Sequence, residues 1–128
     1  MIDRSPRVSS KLEVAVVQYG KMELTDFFSL NISLSGMLIA SKKNIIINRD
    51  QPISLVIDPW QDQLSNFISC DVRVARMVDR NSEGLKKYLD YFGESTEIST
   101  IIGVYFDSIL PDSLQTLSSF IDNFEAAA

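Results

Sequence analysis

The sequence predicts a mainly β protein: a small antiparallel barrel of about six strands, with a C-terminal helix and one short inserted helix. Three observations carry this. Apolar and polar residues alternate over short runs, turn residues punctuate those runs, and two stretches abandon alternation for helical spacing. Several short strands at this spacing suit a barrel or a sandwich. Closure favours the barrel, because it removes the edges that so many strands would expose. At 128 residues and 45% hydrophobic content, the chain suits one domain that buries a core without disulfides or metal.

Residues 1–7 read as an arm, since Pro6 disfavours helix at Ser5 and supplies no amide donor. The domain proper is expected over 8–125. Its first strand points Leu12, Val14 and Val16 one way and Lys11, Glu13 and Val17 the other. Gly20-Lys21 reads as a tight turn into a second strand, Leu24–Leu30, and a third follows Gly36 over Met37–Ala40. Ile45–Ile47 extends that sheet or forms a short strand of its own. Ile53, Leu55 and Ile57 alternate until Asp58-Pro59 stops them. The clearest strand is Phe67–Val78, whose even positions Ile68, Cys70, Val72, Val74, Arg76 and Val78 are apolar except for the arginine. The last, Ile98–Phe106, puts Ile98, Ile102, Val104 and Phe106 on one face. The inserted helix is expected over Glu83–Phe92, between Ser82 as N-cap and Gly93. The C-terminal helix starts near Pro111-Asp112, runs over about 111–125 and carries Leu114, Leu117, Ile121 and Phe124 in one stripe. Ala126–Ala128 is an uninformative tail.

Composition removes whole classes of function. No histidine is present, which takes away the commonest general base and metal ligand. The one cysteine, Cys70, can form neither an internal disulfide nor a thiolate zinc site, and it points to a reducing cytoplasm. No Walker loop, nucleophile elbow or dinucleotide fingerprint occurs. The carboxylate pairs Asp58/Asp62 and Glu94/Glu97 fall in polar loops and read as solvated surface, so no enzyme is expected. Trp60 reads as a cap on the barrel end, with stacking on a base or anchoring a partner as the alternatives. No apolar run approaches the roughly 18–20 residues that span a bilayer, and the N-terminus lacks a secretory layout; no membrane insertion is expected. The formal charge of −5 argues against a nucleic-acid polymer. Positive charge gathers at Arg4, Arg7 and Lys11 against Asp3 alone, which suits a small anion, although a solvated terminal cluster would read the same.

The sharpest local pattern is Asn31-Ile32-Ser33-Leu34-Ser35-Gly36, at the junction of two strands. It resembles the [D/N]-x-S-x-x-G signature of the PilZ family at every fixed position. Val72–Arg76 is similar to that family's strand ending in valine and arginine, and Gly103-Val104-Tyr105-Phe106 to its final G-V-x-F strand. Leu110-Pro111 then leads to a C-terminal helix, as in many relatives. The resemblance runs from about Asp3 to about Phe124. It implies a PilZ-like barrel that binds the bacterial second messenger cyclic di-GMP across the Asn31–Gly36 turn and an arginine arm, with no cofactor besides that ligand.

Each implied contact has a physical sense. The Asn31 carboxamide can meet a guanine edge with donor and acceptor, and the Ser33 hydroxyl can donate to a ring nitrogen or a phosphate. Gly36 removes a side chain where a ring comes close, or frees the turn for positive φ. Taken singly, these residues are also explained by turn chemistry; only the set favours a ligand. The pair Asn31 and Ser33 is expected to stand exposed in an empty site. The family's R-x-x-x-R arm places its second arginine at Arg7 and its first at Asp3, an anion where a cation belongs, with Arg4 beside it. Arg76 interrupts an apolar face, and either joins the ligand site at the barrel mouth or marks where the strand leaves the core. The implied ligand set is therefore Arg4, Arg7, Asn31, Ser33, Gly36 and Arg76. Ligand would order the arm and alter a surface for a protein partner, a second copy of the chain included. The alternative is a degenerate PilZ-like adaptor that binds no nucleotide and acts through protein contacts alone.

Overall fold

The computed structural model of the chain describes residues 11–18, 22–43, 47, 50, 53–79 and 98–126. Six strands run through them: β1 Glu13–Gln18, β2 Met22–Ile32, β3 Gly36–Ser41, β4 Ile53–Ile57, β5 Ile68–Asp79 and β6 Thr100–Ile109. Helix α1, Pro111–Ala126, follows. Every pairing is antiparallel, and the barrel closes in the order β1-β2-β3-β6-β5-β4 with β4 back against β1. The expected closed barrel with its C-terminal helix is the one found, and closure gives each strand a partner on both sides. The arm 1–7, the Gly20-Lys21 turn and the expected helix Glu83–Phe92 lie outside the described residues. Ile47 is buried but belongs to no strand, and Ala126, read as tail, is the last residue of α1.

Alternation sets the core. Leu12, Val14 and Val16 point inward from β1 and its approach, as expected, and meet Phe27, Ile32, Met37, Ile39, Leu55 and Ile102 in one interior cluster. Helix α1 adds Leu117 and Ile121 to that cluster, with Phe120 packed at its edge, while Leu114 of the same stripe stays 43% exposed. A second, smaller cluster of Leu30, Ala40, Val78, Ile98 and Ile101 lies on the outer side of the sheet.

Bulges decide which residues reach which side. The pairing slips between Ser29 and Asn31 in β2 and between Val74 and Arg76 in β5. One extra residue turns the following side chains over. In β5 that residue is Ala75: Met77 then packs on the interior, Arg76 is exposed, and Val78 joins the outer cluster. The expected single face of even positions therefore holds from Ile68 to Val74 and fails beyond it. Ile98, expected beside Ile102, belongs to the outer cluster as well.

Candidate functional site

Pairing register gathers residues from distant stretches onto one outer wall. Across β2, β3, β6 and β5, Asn31 aligns with Leu38, Leu38 with Gly103, and Gly103 with Arg76. In the adjacent row Gly36 aligns with Tyr105, and Tyr105 with Arg73. Paired residues share a face, and their neighbours Ile32, Met37, Val72 and Val104 belong to the interior cluster. Both rows therefore point outward. A shallow cleft of about 240 Å3 lies on this wall, with Leu38, Arg76, Gly103 and Tyr105 among its lining.

The Ala75 bulge puts Arg76 on this wall opposite Gly103 rather than in the core. The desolvation cost of a buried guanidinium does not arise. Arg73 is also exposed and pairs with Asp107, Nε to Oδ1 3.3 Å, a surface ion pair of small energetic weight.

Beneath the wall the turn is tightly bonded. Ser33 is 0% exposed. Its hydroxyl donates to the Gly36 carbonyl at 3.2 Å and accepts from the N–H groups of Ser35 at 3.2 Å and Gly36 at 3.3 Å. Its backbone N–H donates to the same Gly36 carbonyl at 2.8 Å. Asn31 is 8% exposed, and its Oδ1 accepts the Leu38 N–H at 3.3 Å, a bond that patches the ladder where Leu30 bulges. The pair expected to stand exposed is thus buried, because both side chains satisfy backbone groups close by. At Gly36 a Cβ would collide with the Val104 carbonyl of β6 and stand 3.3 Å from the Tyr105 Cα. Its φ lies outside the left-handed region, so strand approach, not turn freedom, is what requires glycine here. The Ser35 carbonyl, accepting the Phe106 N–H at 2.9 Å, ties the turn to β6.

Arg4 and Arg7 lie outside the described residues. The chain that follows them is anchored beside the wall. Leu12 donates its N–H to Ser29 Oγ at 2.9 Å and accepts the Ser29 N–H at 2.9 Å, and Lys11 Nζ stands 5.2 Å from the Phe28 ring centre. The wall also carries Leu38, Arg73, Gly103 and Tyr105, which the expected ligand set did not include. For the last two a signal existed, since residues two apart on a strand share a face.

Two expectations in the loop between β4 and β5 are corrected. Asp58 is not solvated: it is 1% exposed at φ 55, in the loop between β4 and β5. Its carboxylate accepts the N–H groups of Asp62 at 3.0 Å, Gln63 at 2.9 Å and Leu64 at 2.6 Å. Trp60 does not cap the barrel, being 70% exposed; the buried Leu64 joins the interior cluster instead. Burial, helped by the Asp71 charge, pushes the Cys70 thiol up to about 12, which leaves it an unreactive core residue. Among the described residues no group of three or more His, Cys, Asp or Glu could hold a metal, and no helix is long and apolar enough to cross a membrane.

No family model matches the sequence, and no curated protein matches it. Solved structures do share its fold. The structure of the Bacillus subtilis inhibitor of motility (MotI/DgrA) matches with a TM-score of 0.72 at 15% identity, over 99% of this chain and 53% of that one. The chain thus spans about half the length of that protein. The PilZ domain of YcgR from Escherichia coli, solved with c-di-GMP, matches with a TM-score of 0.69 at 13% identity, over 99% of this chain and 94% of that one. At such identities the likeness is one of fold: the barrel is PilZ-like.

Proposed function

We propose that the chain is a receptor and adaptor module for cyclic di-GMP, held on the outer wall of the barrel and gripped by Arg4 and Arg7 of the arm. The observation that carries this reading is the row Asn31, Leu38, Gly103 and Arg76, with Gly36 and Tyr105 alongside. Three members of the expected ligand set, Asn31, Gly36 and Arg76, come from separate stretches of sequence and share this face. Arg76 is exposed there, and a guanidinium can take guanine O6 and N7, or a phosphate, in a bidentate grip. Arg7 precedes Lys11 by four residues, at most roughly 14 Å of extended chain. Since Lys11 stands against Phe28 of β2, the arm begins within reach of the wall. The likeness in fold to a PilZ domain solved with c-di-GMP supports the same ligand class. No chemistry follows binding; the output is an ordered arm and an altered surface for a protein partner in the cytoplasm.

A second reading is favoured by Ser33. Its hydroxyl is fully buried and engaged within its own turn, and Asp3 stands where the family's first arginine belongs. Both suit an adaptor that binds no nucleotide.

Titration of the purified chain with cyclic di-GMP, GTP and an oligonucleotide separates the two, with Asp3→Arg run beside wild type. Expected is saturable binding of cyclic di-GMP alone, weak in wild type and at least tenfold tighter in Asp3→Arg at low salt. One restored charge-assisted contact is worth about 1.5–3 kcal/mol, and about 1.4 kcal/mol is tenfold; part of the gain fades with salt. If neither form binds, the adaptor reading replaces this one.

A further inference from the structure

A second cleft, of about 520 Å3, shares no residue with the wall and lies between the end of the β4–β5 loop and α1. Each of its sides is held in place by bonds of its own. On the loop side the Asp58 carboxylate accepts the Leu64 N–H at 2.6 Å, and buried Leu64 and Ile68 bracket Ser65, Asn66 and Phe67. On the helix side Leu117 and Ile121 seat α1 on the core, and the Ser69 N–H donates to Ser113 Oγ at 3.1 Å. With those two leucine and isoleucine side chains turned inward, Asp112, Gln115, Thr116 and Ser119 form one polar stripe at helical spacing along the cleft.

The lining selects among ligands. Among the described residues it is amide and hydroxyl, with one carboxylate, Asp112, one aromatic ring, Phe67, and no lysine or arginine. A phosphate or carboxylate ligand would meet an anion and no cation. An amphipathic helix needs an apolar groove, and an extended peptide needs a free strand edge, which the closed barrel does not offer among its described strands. A neutral saccharide fits. Its hydroxyls can donate to the Asp112 carboxylate and exchange hydrogen bonds with the Asn66 and Gln115 amides, each of them donor and acceptor. Its C–H face can cover the Phe67 ring, which is left 47% exposed amid polar neighbours. The volume also falls within the roughly 300–1,000 Å3 of small-molecule sites.

We propose that the cleft between the β4–β5 loop and α1 binds a neutral saccharide, with Phe67 against the sugar face and Asp112 accepting from its hydroxyls. This site is separate from the cyclic di-GMP wall and stands or falls without it.

The test uses the full chain, followed by NMR at the Asn66 and Gln115 side-chain amides and the Phe67 ring. The probes are glucose, galactose, mannose, maltose and cellobiose, with glucuronate and galacturonate as anionic controls. A neutral sugar is expected to shift all of these resonances along one saturating curve in the millimolar range. The uronates bind several-fold more weakly, because Asp112 repels them. Phe67→Ala and Asp112→Ala each weaken the best neutral sugar by about fivefold or more. Asp112→Asn removes the charge but keeps an acceptor, so it brings each uronate to within about twofold of its parent hexose. Phe67 and Asp112 are both exposed, so the variants are expected to fold, which circular dichroism checks. Should Phe67→Ala lose structure, the Asp112 variants and the wild-type shifts decide. No saturable shift with any neutral sugar at ~50 mM would overturn the site. So would shifts that survive Asp112→Ala at full affinity, or a uronate that binds wild type more tightly than every neutral sugar.

Discussion

At Gly36 the nearest obstacle to a side chain is the Val104 carbonyl, a fixed backbone group of the neighbouring strand. Gly36→Ala must therefore displace β3 from β6, and overpacking of this kind costs about 1–3 kcal/mol. The expected outcome is a lower Tm for Gly36→Ala with or without nucleotide; an unchanged Tm would mean the strands separate freely here. Ser33→Ala removes an acceptor for two N–H groups and should also lower the Tm, by about 1–2 kcal/mol of stability. Loss of binding in either variant reports on the wall only after this folding term is subtracted. None of this was visible in the hexapeptide itself. Asn, Ser and Gly occur in that spacing for turns and for ligands alike, and only the depth of Ser33 and the position of Val104 tell the two demands apart.

The loop between β4 and β5 is built around one carboxylate. Asp58 accepts three backbone N–H groups, and its own N–H donates to the Glu13 carbonyl at 2.7 Å, which pins the loop to β1. Asp58→Ala leaves those donors short of acceptors in a buried place and should cost about 2–4 kcal/mol. Asp58→Asn keeps one acceptor and a tolerance for positive φ, so it should cost less. Chemical denaturation followed by circular dichroism measures both; equal and negligible losses would contradict this account of the loop. The strands themselves were largely legible, since half-buried strands write their two faces into the sequence as alternation. The bulges at Leu30 and Ala75 were not, because a bulge is defined by the partner strand. That is why Arg76 read as an interruption of the core when it is an outward residue. It is also why Leu38 and Tyr105 looked ordinary until register set them beside Gly103 and Gly36.

For the whole molecule, strand order is what assembles the wall. Its members come from four strands spread between Asn31 and Tyr105, and the order β2-β3-β6-β5 makes them neighbours. Under the proposed receptor reading, a wall of paired strands serves as a platform and the conformational response to a ligand is expected in chain outside it. Net charge sets the conditions for binding. A chain of −5 repels an anionic ligand at long range, so attraction must come from local arginines, and salt both screens the repulsion and weakens the grip. The most direct test of the central claim is a map of backbone amide shifts in the full chain during titration with cyclic di-GMP. The account predicts that Asn31, Leu38, Arg76, Gly103 and Tyr105 move together along one saturation curve, while Ser65–Phe67 and the first turns of α1 stay still. A wall that does not respond at saturating ligand, or a response confined to the cleft between Ser65–Phe67 and α1, would contradict it.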